Sequence, residues 1–119
     1  MTRVTFSSRG DMLLSVDILG HAGYAEAGED IVCAAISSAV MLTHALLFDV
    51  QKIPVDTVIE DNGAHIRITL PQGGALTRGQ DALRALRLHF TELEQNYSDF
   101  LNVMEVHEDA EDQFTVFRP

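Results

Sequence analysis

With 119 residues, 46% of them apolar, the chain has the material for one domain around a single hydrophobic core. Its 18 acidic side chains against 8 Lys and Arg give a net charge of −10. That balance argues against a nucleic-acid binder, which needs clustered cations to neutralise phosphates, and is compatible with a basic peptide or protein as partner. One cysteine permits no internal disulfide and the first residues lack a secretory pattern, so the expected compartment is the reducing cytoplasm.

Residues 3–20 read as a β-hairpin. Val4 and Phe6 alternate with polar residues, residues 7–11 supply the turn, and Met12, Leu14, Val16 and Ile18 share one face of the return strand. The other face carries Leu13, Ser15, Asp17 and Leu19, which predicts a central strand partly covered on both sides. The strand ends at Gly20 and delivers His21 into a loop, GHAGYAEAGED, that holds Gly20, Gly23, Tyr24, Gly28 and the pair Glu29-Asp30. Its glycines serve either as turn punctuation or to let backbone approach a bound peptide closely.

A long apolar helix is predicted over residues 31–50, with Asp30 as a suitable N-cap. Capped there, Cys33 is the third helical residue, and the partial positive charge of the helix end favours the thiolate, the reactive form of cysteine. A histidine folding back from the glycine-rich loop would accept the thiol proton, so His21 and Cys33 outline a nucleophile with its base. A lone cysteine in such a helix is also commonly a small buried hydrophobe, and on the residues alone both readings stay open. Ser37, one turn further, either hydrogen-bonds near the thiol or bonds its own helix backbone. His44 shares the stripe of Cys33 but lies roughly 16 Å along the axis, so it is read as structural. Polar Ser37, Ser38, Thr43 and His44 interrupt the run as a membrane span. A helix apolar on nearly all sides is expected to be buried, between a sheet and either another helix or a partner subunit.

The stretch GHAGYAEAGEDIVCAAIS resembles the signature of the Prp family of ribosomal-processing cysteine proteases, a GHA motif followed by G-x-D-I-V-C-A-A-x-S. The resemblance implies a catalytic dyad of His21 and Cys33, with Asp30 and Ser37 at the family's supporting positions. It further implies no metal or other cofactor and a homodimer. The expected activity is removal of a short N-terminal extension from a large-subunit ribosomal protein precursor, the twenty-seventh in the standard nomenclature. Peptide cleavage would run through attack by Cys33, with His21 as base and then acid and with helix-start N–H groups as oxyanion donors. The loop of Gly20, Gly23, Tyr24, Gly28 and Glu29 would cover the peptide, and Asp30 either caps the helix or orients His21.

Beyond Pro54, residues 55–70 read as a second hairpin around Asn62-Gly63. Ile66, Ile68 and Leu70 make one face of its return strand, while His65, Arg67 and Thr69 point to solvent. Residues 71–74 are loop, and Thr77 with Gln80 forms a capping box for a second helix whose core stripe is Leu83, Leu86, Phe90, Leu93 and Tyr97. His89 lies beside that stripe with no evident partner. Residues 100–106 read as a last strand, residues 105–112 as an acidic exposed turn, and Phe114, Val116 and Phe117 as a short closing strand.

The predicted fold is a single α+β domain, with a mixed or antiparallel sheet of five to six strands and two main helices. The scattered histidines show no metal-ligand spacing, and no phosphate-binding glycine motif occurs. Two other functions fit the residues: a non-catalytic, ribosome-associated binding module and a redox-sensing thiol protein.

Overall fold

The alternation of the first twenty residues forms a hairpin of β1 (Thr2–Arg9) and β2 (Met12–Leu19). Its turn is tighter than expected, since β1 runs on to Arg9 and Gly10 takes φ 59°, a left-handed conformation in which a side chain is strained. The computed structural model describes residues 1–20, 27–60 and 64–108, with 27–30 described by backbone alone. A second hairpin joins β3 (Asp56–Glu60) to β4 (His65–Thr69), and its expected Asn62-Gly63 turn lies outside the described residues. With β5 (Leu101–His107) these strands form one sheet in the order β3-β4-β2-β1-β5. The β1–β5 pair is parallel and the other pairs are antiparallel, so the sheet is mixed and β2 is its central strand, as predicted.

Helix α1 (Ala27–His44) continues through a π-type turn over Ala45–Val50, closed by Lys52 at φ 58°. The short α2 (Gly74–Arg78) precedes α3 (Gln80–Asn96). Val4, Phe6, Val16, Ile18 and Ile68 share one face of the sheet through the pairs Val4–Ile18, Phe6–Val16 and Val16–Ile68. They join Val32, Ile36, Val40 and Leu47 of the α1 segment and Leu83, Leu86 and Phe90 of α3 in one core. Each such fully buried side chain contributes about 1.5–3 kcal/mol relative to exposure.

Two local features differ from the sequence reading. A bulge leaves Leu14 without a partner between the Ser7–Ser15 and Ser8–Leu13 pairs, so Leu13 turns onto the helix face and is buried. The side chain of Gln80 satisfies the main chain there. Its Oε1 accepts from the Leu13 N–H at 2.7 Å, and its Nε2 donates to the carbonyls of Leu13 at 2.8 Å and Leu76 at 2.9 Å. The capping box with Thr77 is therefore absent: Thr77 is inside α2, and Gln80 opens α3 behind Gly79. Gly79 is required by packing, because a Cβ there would stand 2.6 Å from Leu70 Cδ2.

His65, expected in solvent, is instead held on the open face of the sheet. Its Nε2 lies 2.6 Å from Asp17 Oδ1 and its Nδ1 3.2 Å from Glu60 Oε1, while Arg67 reaches Asp17 Oδ2 at 3.3 Å. Glu105, where the predicted last strand and the acidic turn overlap, belongs to β5 and binds Arg87 at 2.9 Å. Phe114, Val116 and Phe117 lie outside the described residues.

Within the single chain, α1 is buried on one side only. Val32, Ile36, Val40 and Leu47 face the core, while Met41 and Leu42 are 71% and 72% exposed, and Ile31, Phe48 and Val50 are also exposed. The segment Ile31–Val50 is long and apolar enough to cross a membrane, with a mean hydropathy of 2.1. Only 28% of it is buried within the fold, so most of its apolar surface faces outward.

Candidate active site

The first residue of β1 organises one end of the sheet. Thr2 is 2% exposed, and its N–H donates to the Phe100 carbonyl at 2.9 Å, which fixes the start of the parallel β1–β5 pair. Its Oγ1 lies 3.8 Å from Cys33 Sγ, within range of a hydrogen bond to sulfur. Gly20 follows Leu19, the register partner of Arg3, and its N–H donates to the Ala64 carbonyl at 2.7 Å. A Cβ built on Gly20 would stand 3.5 Å from Thr2 Oγ1, so Gly20 lies next to Thr2 with room for one carbon between them. Thr2 thus joins the cysteine of α1 to the end of β2, and the next residue in the chain is His21.

Cys33, which is in no disulfide, is partly exposed beside the buried Val32 and Ile36. It is not the fully buried small hydrophobe that a core role requires. Its place in the helix differs from the expected one. Because α1 begins at Ala27, Cys33 is its seventh residue rather than its third. Ala27 and Glu29 favour helix, and acidic residues in a first turn complement the helix dipole, so the helix gains about one turn before Asp30. Asp30 is therefore inside the helix and is not its N-cap. The helix-start N–H groups lie about 9 Å along the axis from Cys33, too far to act as its oxyanion donors.

Of the other predicted site residues, His21, Gly23 and Tyr24 lie outside the described residues. Gly28, Glu29 and Asp30 have helical backbone and no described side chain. Ser37 is exposed, one turn beyond Cys33. The described histidines are engaged elsewhere: His44 Nδ1 is 3.0 Å from Thr57 Oγ1 and its ring stacks on Phe48, and His107 Nδ1 is 2.8 Å from Ser8 Oγ. His65 is held by Asp17 and Glu60, and His89 lines a groove between α1 and α3. The residue that sequence reasoning missed is Thr2. Its signal was available, since Thr2, Val4 and Phe6 share a parity and a hydroxyl at a core position needs a partner.

A family model for the cysteine protease Prp matches residues 1–102, which span both the Gly20 loop and Cys33. The chain belongs to the Prp family of cysteine proteases. Among solved structures, the Prp chain is similar to SMU.848 from Streptococcus mutans, at 30% identity and a TM-score of 0.82, over 91% of this chain and 96% of that one. It also shares the fold of the essential ribosomal processing protease Prp from S. aureus. In complex with a substrate peptide that structure aligns at a TM-score of 0.80 and 20% identity, and with a covalently linked product peptide at 0.76 and 22%. Both alignments cover 89% of this chain and all of the other. No curated protein matches the sequence.

Proposed function

We propose that this Prp-family chain removes a short N-terminal extension from a large-subunit ribosomal protein precursor, with Cys33 as nucleophile and His21 as its base. The observation that carries the reading is the meeting of Cys33 Sγ, Thr2 Oγ1 and Gly20 at one end of the sheet, one residue before His21. Cleavage proceeds in two stages. His21 takes the thiol proton, Cys33 Sγ bonds to the scissile carbonyl carbon, and the C–N bond breaks as His21 returns the proton to the leaving amine. Water then splits the thioester, releasing the N-terminal fragment as an acid and restoring the thiol. The loop carrying Gly23 and Tyr24, which leads into Gly28 and Glu29 at the start of α1, covers the peptide, and Asp30 and Ser37 support the dyad. A net charge of −10 suits a basic substrate, and the reducing cytoplasm keeps the single thiol active.

The outer face of α1 supports a second copy as partner. Met41 and Leu42 are exposed beside a groove of about 470 Å³ lined by Ala35, Ser38, Ala39, Ala85 and His89. Apolar surface of this kind on a soluble chain marks an interaction site, and light scattering should return twice the 13.1 kDa chain mass. For the activity, mass spectrometry of a peptide matching the host protein's extended N-terminus should show one defined cut. A peptide left intact, or cut at many bonds, would count against the assignment.

A further inference from the structure

We infer that Thr2 is a positioning residue for the Cys33 nucleophile, its hydroxyl donating to the thiolate once His21 has taken the proton. The inference rests on the reading of Cys33 given above. Thr2 is the first residue of β1, its main chain is held by its N–H on the Phe100 carbonyl, and at 2% exposure its side chain is enclosed. A buried hydroxyl requires a partner, and Cys33 Sγ is 3.8 Å from it. While the sulfur carries its proton, either atom can donate. After deprotonation the sulfur only accepts, and the hydroxyl becomes the donor of a charge-assisted bond, which is the stronger kind. The same threonine lies next to Gly20 at the end of β2, so a single side chain adjoins both the thiol and the exit point of the strand that leads to His21. With the helix start displaced to Ala27, the thiolate also lacks the first-turn stabilisation expected of it, and the Thr2 hydroxyl takes over part of that role.

The test compares Thr2→Val, which keeps the branched shape in a strand, with Thr2→Ser, which keeps the hydroxyl. Two readouts are taken at one neutral pH: the rate of Cys33 alkylation by iodoacetamide, and kcat and KM on the extension peptide. Thr2→Val should lower both the alkylation rate and kcat about tenfold with KM within about twofold, and Thr2→Ser should restore most of each. An unchanged alkylation rate in Thr2→Val, or an equal loss in Thr2→Ser, would overturn the proposal. Should Cys33→Ala still cut the peptide, the nucleophile reading fails, while alkylation still reports whether the hydroxyl acts on the thiol.

Discussion

The two ends of the sheet resolve the same problem in opposite ways. At the Leu13 end, a bulge frees main-chain groups and the Gln80 amide answers them with two bonds of 2.7 and 2.8 Å, its third going to the Leu76 carbonyl at 2.9 Å. At the Thr2 end, a buried hydroxyl meets a partly exposed thiol at 3.8 Å, beside a bare glycine at the end of β2. The first arrangement is closed and saturated, as a structural support should be. The second leaves the thiol partly exposed with a long contact, which on the proposed reading tightens when charge appears on sulfur. Two buried polar side chains, Gln80 at the start of α3 and Thr2 at the start of β1, thus serve stability at one end and, on the proposed reading, chemistry at the other.

Substitutions break this contrast in graded ways. The largest effect should come from His21→Ala, with a fall in kcat/KM of about 1,000-fold and an unchanged melting temperature. Gln80→Ala should act in reverse: it strands the buried Leu13 groups, costs about 2–4 kcal/mol and lowers the melting temperature by roughly 10 °C, while the folded fraction stays active. Calorimetry beside a cleavage assay separates the two outcomes. Gly79→Ala forces a Cβ against Leu70 near that closed end and, at a cap position where alanine's helix propensity brings nothing, should cost about 1–2 kcal/mol. Leu42→Glu, on the exposed face of α1, should change monomer stability by less than about 0.5 kcal/mol but halve the mass seen by light scattering.

Most of the fold was readable because period-2 alternation in residues 3–20 and 55–70 and the stripe of Leu83, Leu86 and Phe90 report directly which face is buried. The bulge at Leu14 was not readable, since nothing local distinguishes it from a regular strand residue and its main-chain partners come from Gln80, 67 positions away from Leu13. The start of α1 was misplaced because Asp30 is as good a first-turn residue as a cap, and propensity then carries the helix back to Ala27. What faces the outer side of α1 was not readable, because an apolar helix looks the same whether its outer face meets its own chain or another surface. At the site, Cys33 and Gly20 stood out through residue type and loop chemistry, whereas Thr2 acts only through a contact across 31 positions.

The most direct measurement is the intact mass of the protein quenched with acid during turnover of the extension peptide, with Cys33→Ala alongside. The account predicts wild-type protein carrying the peptide's N-terminal fragment as a thioester on Cys33, and neither adduct nor cleavage in the variant. Cleavage of the same bond at the same rate by Cys33→Ala would contradict it.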